Sequence, residues 1–408
     1  MVHARVSIYA LMLAAAGIPL YIHLPRFASV NLGIGLGTVG VVLLGIRIID
    51  LVQDPLIGWA IDRWPGQQLV FALLAAGGLA LGFPLLFGLE AGTGIFTGLV
   101  PILILLFSAY SLGMILLYGR SATLAKSTSQ ADLLTLASFR EFGMLGGVIL
   151  AASAPAVFFS LGAADQGYPA YGLFLGAVAL ATGLLTIPIW RRPVITGRGL
   201  SFTGLAGAGG TRLLFIALIN SLPVAVTSTL FLFFVEDRLG LTGLSGPLLI
   251  LFFVAAGLSV PIWTKISQAL GPRRTLLIAM PLAIASFIGA ALLPQGAALG
   301  FSIISAASGA AVGADLVLLP AMFSVALTNA GLNASTAFGL WSFAGKLGLA
   351  LAAAAVLPLV QAAGFKPGAE NSPQALSALN LAYAILPCIL KVFAFALVWS
   401  LPSDEEHR

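Results

Sequence analysis

Apolar runs recur along this chain from end to end. The long ones exceed the roughly 20 residues a helix needs to cross a ~30 Å hydrocarbon layer at 1.5 Å per residue. No soluble fold absorbs them. Hydrophobic residues make up 60% of the 408 and charged residues 8%, against about 25% charged in an average soluble domain. A globule of that make-up would expose its apolar excess to water, so the bilayer is the solvent that fits. The expected fold is an all-α integral membrane protein.

Breaking the runs at charges, Gly/Pro clusters and Asn/Ser stretches predicts twelve spans: 6–24, 33–60, 69–89, 97–119, 134–161, 170–190, 211–235, 243–264, 275–294, 298–327, 335–361 and 378–401. Twelve loop and tail Lys/Arg residues, from Arg5 and Arg63 through Arg191 and Arg192 to Arg408, fall on one face; Arg26, Arg238 and Lys366 fall on the other. The positive-inside rule then places both termini in the cytoplasm. The longest polar interruption, 191–210, predicts a cytoplasmic linker between a six-helix bundle at 1–190 and another at 211–401, with a short tail at 402–408. Span two ends in GWAIDRWPGQQ and span eight in PIWTKISQALGPRR. That weak symmetry is what parallel repeats of a transporter leave in a sequence.

Several function classes drop out. The net charge of +5 comes from only 19 Lys and Arg among 408 residues, scattered over loops, so no nucleic-acid face is expected. A lone cysteine excludes an internal disulfide. No Walker loop, HExxH or Ser–His constellation appears, so neither ATP-driven transport nor an enzyme is expected, and no cofactor.

Ionisable residues inside apolar spans are costly and mark function by default. The densest group is RIIDLVQDPLIGWAIDR. Arg47, Asp50 and Asp54 lie at steps of three and four, on one helix stripe that Gly58 continues. Two carboxylates and one guanidinium leave a formal charge of −1, which a bound Na⁺ or H⁺ would relieve. Pro55 cannot donate to the carbonyl of Leu51, which leaves that oxygen as a hard ligand. The structural alternative is a salt-bridge network locking helices together. Gly58, Asp62 and Arg63 form a second feature, a gating signature in which Asp62 caps or bonds a neighbouring helix and Arg63 anchors at the interface. Lys346 sits near the middle of span eleven, with Asp315 in span ten as a candidate counter-charge or a packing acid. Lys391 reads as lipid-facing or close to a helix end. Arg140 and Glu141, being adjacent, point about 100° apart, so they are not expected to share a face. Arg140 offers a planar fork to substrate oxygens, the alternative being a charge pair with Glu141 at the cytoplasmic end of the helix. Tyr118 lines an inner vestibule and Trp341 stacks on an apolar sugar face in the same reading.

Together these residues resemble the glycoside–pentoside–hexuronide:cation symporters, the melibiose-permease branch of the major facilitator superfamily. The stretch from Arg47 to Gly58 looks like the family's second-helix signature. Further matches are Arg140, Ser259-Val-Pro261-Ile-Trp263 leading to Gly271-Pro-Arg-Arg274, and Lys346-Leu-Gly running on to Gly364-Phe365. The resemblance implies a cation site at Asp50 and Asp54 with Arg47 beside it, and Lys346 near the cation and substrate. Sugar transporters of that family carry an acid in spans one and four; here both spans lack one. Cation coupling is thus better supported than sugar recognition.

The expectation is a cation-coupled symporter, Na⁺ or H⁺, for a small sugar- or glycoside-like solute. It works as a monomer by alternating access in the inner (plasma) membrane. Its partners are the solute, a monovalent cation and the bilayer. A lipid or amphiphile carrier of the same fold and a non-transporting membrane scaffold are the alternatives.

Overall fold

The structure, a computed structural model, describes residues 2–34, 36–160, 167–195, 197–366 and 370–402. The tail expected at 402–408 lies outside the described residues beyond Pro402, and so does the side chain of Arg26. The described residues are helical throughout, with one isolated parallel bridge between Arg198 and Leu332 and no strand. The long helices in chain order are α1 (Val2–Ile18), α2 (Leu36–Arg63), α3 (Gln68–Phe87), α4 (Ile95–Gly119), α5 (Gln130–Ser160), α6 (Gly167–Trp190), α7 (Gly210–Phe233), α8 (Ser245–Leu270), α9 (Pro272–Ile288), α10 (Ala298–Asn329) and α11 (Ala334–Ala362). They end with α12 (Pro373–Trp399), which contains a π turn at Leu381–Ile385.

Among the described residues, ten helices, α3 to α12, are long and apolar enough to cross a membrane. The other two expected spans are helical as well. Span one is a 17-residue helix that passes through a π turn at Pro19–His23 into Leu24–Val30, because Pro19 and Pro25 withhold the N–H groups that a continuous helix needs. Span two, at 28 residues, carries Arg47, Asp50, Asp54, Asp62 and Arg63.

The chain forms two compact units. The first comprises Met1–Ala208 with Ser324–Phe343, and the second Gly209–Phe323 with Ala344–Arg408. In the first, α1 packs against α5 and α6, and α3 against α4 and α6. Its centre holds Tyr9, Leu13 and Trp190, all buried, with the Tyr9 and Trp190 rings edge to face at 4.9 Å. Gly143 and Gly147 of α5 lie against the backbone of Ser7 and Leu11. A methyl group at either would strike a carbonyl of α1, so these glycines set the closest helix approach. In lipid, where no hydrophobic force drives helices together, such small residues permit the contact. Exposed Val41, Leu44, Ile48, Val52, Leu56 and Trp59 step along α2 by three and four, giving an apolar face opposite its polar one.

The second unit is built on α7, α9 and α12. Phe234 stacks on Tyr383 at 4.0 Å beside buried Phe301.

The 191–210 interval is tied down rather than slack. Arg198 N–H donates to the Gly331 carbonyl at 2.6 Å, and Asn333 N–H to the Arg198 carbonyl at 2.8 Å. Gly197 N–H donates to Asn333 Oδ1 at 2.7 Å. Ser201 then caps a short helix, Phe202–Gly207. All these contacts lie inside the first unit.

Candidate functional site

The polar stripe of α2 faces into the first unit. Asp50 and Asp54 are both fully buried at 0% exposure, a costly placement that needs partners. Arg47 Nη1 lies 3.3 Å from Asp50 Oδ2, and the Arg47 guanidinium sits 5.3 Å over the Phe107 ring of α4. Gln53 Nε2 donates to Asp50 Oδ1 at 2.8 Å, and Gln53 Oε1 accepts from Ser108 of α4 at 2.8 Å. Asp54 Oδ2 accepts from the Ser342 hydroxyl of α11 at 2.5 Å. Asp50 therefore has a cationic neighbour on its own helix, and Asp54 accepts from a hydroxyl of α11.

Two glycines bring α2 and the start of α11 together. Gly58 lies against the Ser335 carbonyl and the Thr336 Cα, and Gly339 against the Asp54 carbonyl and the Pro55 Cα. A side chain at either would push the helices apart and draw Ser342 off Asp54. Two carboxylates and a hydroxyl gather their oxygens here, and Pro55 has no N–H for the Leu51 carbonyl one turn back. This hard, oxygen-only donor set suits a monovalent cation such as Na⁺, and the carboxylates equally suit a proton.

At the end of α2, Asp62 caps α11. Its Oδ1 accepts from Ser335 N–H at 3.2 Å, and its Oδ2 from Thr336 N–H at 2.7 Å and Thr336 Oγ1 at 2.8 Å. A helix N-terminus offers unpaired N–H groups and a positive dipole end, so the carboxylate is held twice over. Buried Arg120, just past α4, donates to the Ile61 carbonyl at 2.7 Å and lies 3.9 Å from Asp62. Burial lowers the Arg120 pKa and Asp62 raises it in part. Arg63 is exposed, as an interfacial anchor requires.

At Arg140 and Glu141 the structure shows the charge pair that was the alternative to a substrate fork. Though adjacent, they form a buried ion pair, Nε to Oε1 at 2.9 Å. Two long side chains bridge the angle their Cβ atoms diverge by. The Arg140 guanidinium stacks 3.6 Å over the Tyr118 ring, and the Tyr118 hydroxyl donates to the same Glu141 oxygen at 3.0 Å. Tyr118 also meets Phe338 at 5.6 Å, which meets Trp341 at 6.1 Å. Arg140 Nη2 is buried and without a hydrogen-bond partner in the structure. Arg140, Tyr118 and Trp341 are thus linked through Phe338.

The second unit holds a separate cluster. Lys391, expected at the lipid face or an end, is instead buried at 5% exposure and ion-paired with Asp315. Asn220 of α7 accepts from it at 2.7 Å. The pair forms because neither charge is tolerable alone in an apolar bundle. Lys346 also belongs to the second unit, half-buried on α11.

Sequence reading missed Ser342, Ser335, Thr336, Gln53, Ser108 and Asn220. Two signals were available. Ser335-Thr336 opening an apolar run is a helix-start pattern, and Gly339 three residues before Ser342 marks a close helix approach. Ser108 and Asn220 are single polar residues in apolar runs, with no pattern to announce them.

Residues 6–405 match the profile of the MFS/sugar transport protein family. No curated protein matches the chain in sequence. Among solved structures, the chain is similar to a bacterial homologue of the iron transporter ferroportin in an outward-facing state, at 14% identity and TM-score 0.71, over 97% of this chain and 100% of that one. It is also similar to the major facilitator superfamily transporter FucP in an outward conformation, at 15% identity and TM-score 0.65, over 96% of this chain and 98% of that one. At these identities the likeness shows the fold.

Proposed function

Since this chain belongs to the MFS/sugar transport protein family, in its melibiose-permease-like branch, and is a multi-pass membrane transporter rather than an enzyme, we propose that it couples solute movement to Na⁺ or H⁺ at the polar stripe of α2. The observation that carries this reading is the pair of fully buried acids, Asp50 and Asp54, one turn apart, with the Arg47 guanidinium beside Asp50. Buried carboxylates in an apolar bundle give a monovalent cation or a proton a reason to bind. The Ser342–Asp54 bond connects that event to α11. A cation at Asp54 competes with Ser342 for the carboxylate and so alters the hold of α2 on the start of α11. The Asp62 cap on the same helix is the second hold. Binding energy that differs between the held and released forms is what couples an ion gradient to a conformational cycle. The cycle is alternating access, with symport of the cation and solute by a monomer in the inner membrane.

For the solute, the Arg140 fork supplies donors for hydroxyl or carboxylate oxygens, and Tyr118 and Trp341 supply flat apolar faces. This favours a small sugar- or glycoside-like molecule. A second reading, an amphiphile carrier, has one observation behind it: α1 and α4 contain no carboxylate to accept from sugar hydroxyls. Proteoliposomes with an imposed Na⁺ or pH gradient separate the two. The proposal expects gradient-driven uptake of a pyranoside from a labelled panel, abolished by Asp54→Asn and by Arg140→Ala. Uptake of a lysophospholipid alone, or uptake indifferent to both gradients, overturns it.

A further inference from the structure

Two separate parts of the chain hold the turn between α10 and α11. Asn333 immediately precedes α11. Asparagine is favoured at that place because its side-chain oxygen caps the first free N–H groups of a helix. Here those groups, the Ser335 and Thr336 N–H, go to Asp62 of α2. Asn333 Oδ1 accepts instead from Gly197 N–H of the linker, at 2.7 Å. Two backbone bonds flank it: Arg198 N–H donates to the Gly331 carbonyl at 2.6 Å, and Asn333 N–H to the Arg198 carbonyl at 2.8 Å. Gly197 packs against the Gly331 carbonyl and the Leu332 backbone, where a methyl group would strike both. Gly331 has a φ of +63°, a conformation that favours glycine, and Leu332 N–H donates back to the Leu327 carbonyl at 2.9 Å. The turn is thus fixed both to α10 and to the linker.

Three attachments follow one another along the start of α11: the linker at Asn333, Asp62 at Ser335 and Thr336, and Asp54 at Ser342. A helix is a rigid element, so movement at one of these points is carried to the others. We propose, resting on the cation site read at the α2 stripe, that Gly197 and Arg198 form a clasp which opens together with the Ser342–Asp54 bond, and that Asn333 is a positioning residue for that site. In the clasped form Ser342 occupies the Asp54 carboxylate. In the open form the carboxylate is free for the cation. The apparent Kd is the intrinsic one divided by the fraction open, so weakening the clasp tightens cation binding. By reciprocity, the bound cation loosens the clasp.

Two measurements on the purified full-length protein separate the clasp from the cation site. The first needs no cation. Amide hydrogen exchange at Arg198 and Asn333 reads clasp opening. Ser342→Ala is expected to speed exchange at both amides by about two- to tenfold, the equivalent of one neutral hydrogen bond, although the lost hydroxyl bonds α2 and not the linker. The second is the Na⁺ dependence of the unfolding temperature, titrated against K⁺ at constant ionic strength, with an acid titration in K⁺ beside it. In Asn333→Ala and in Gly197→Ala, the midpoint of the titration that stabilises the wild type is expected to move to about two- to tenfold lower ligand concentration. A residue that only supports the fold would weaken binding or leave it alone. Asn380→Ala removes a side-chain bond to the Ala291 carbonyl in the second unit, and is expected to lower stability without moving the midpoint. Wild-type exchange at both amides in Ser342→Ala, or a midpoint unmoved or weakened in both linker variants, overturns the clasp and leaves the cation site standing. A wild type and an Asp54→Asn variant that respond alike to Na⁺ and to acid overturn the cation site, and the clasp's coupling with it.

Discussion

Replacing Asp62 by Ala removes the cap on α11 and nothing from the apolar packing. Asp62 accepts two backbone N–H bonds and one hydroxyl bond at a helix N-terminus. Hydrogen bonds to a charged group contribute about 1.5–3 kcal/mol each, and losing a cap costs about 0.5–2 kcal/mol as measured in proteins. The three bonds act on one turn and are not additive, and the freed N–H groups can find water at the helix end. We therefore place the loss at about 2–3 kcal/mol, or roughly a hundredfold in local opening at 1.4 kcal/mol per factor of ten. The alanine also leaves Arg120 buried without its neighbouring anion, which adds to the cost. Amide hydrogen exchange at Ser335 and Thr336 reads this opening. Asp62→Ala is expected to speed exchange there by about a hundredfold, and Asp62→Asn, which keeps one acceptor and loses the charge, by about tenfold on the same scale. Exchange in the Tyr9–Trp190 centre should be unchanged. If Ser335 and Thr336 exchange at the wild-type rate in Asp62→Ala, the carboxylate does not hold α11 and the reasoning fails.

Three further outcomes follow from the same geometry. Gly339→Val drives a branched side chain into the Asp54 carbonyl; overpacking of this kind costs about 1–3 kcal/mol, and cation-driven uptake should fall far more than the expression level. Glu141→Gln strips the anion from buried Arg140, a loss of about 3–5 kcal/mol for a broken buried pair, visible as a lowered unfolding temperature, with Arg140→Gln/Glu141→Gln recovering part of it. Asn333→Ala removes the bond to Gly197 N–H, worth about 0.5–1.5 kcal/mol; limited proteolysis within 191–200 should quicken while the core helices stay intact.

The helical membrane fold was legible because lipid leaves so few options: apolar length alone dictates helices, and the ends of α4, α6, α10 and α11 fall within a few residues of the spans read from sequence. The stripe of α2 was legible for a related reason. Steps of three and four on one helix fix which side chains share a face, and Arg47 does meet Asp50. What escaped were contacts between helices far apart in the chain. Nothing local tells that Ser342 reaches Asp54, or that Asp62 caps a helix starting at residue 334. Lys391 shows the limit most sharply. A lone lysine near a chain end reads as lipid-facing, and only the fold places Asp315 and Asn220 around it. At Arg140 and Glu141 the sequence left a substrate fork and a charge pair open, and only the fold shows side chains long enough to bridge the angle between neighbours.

The central claim is that Asp50 and Asp54 hold a coupling cation, and it is tested without knowing the solute. Thermal unfolding of the wild type and Asp54→Asn is compared in Na⁺, Li⁺ and K⁺ at matched ionic strength, and across pH in K⁺. A specific ligand stabilises by RT ln(1 + [L]/Kd), about 2.7 kcal/mol at a hundredfold excess over Kd. The account predicts that Na⁺ or Li⁺ raises the unfolding temperature of the wild type and leaves Asp54→Asn unmoved or, for a proton site, that the difference between the two proteins changes with pH. If no alkali cation discriminates and the two proteins keep the same difference at every pH, the buried acids of α2 are a structural charge network and the account is contradicted.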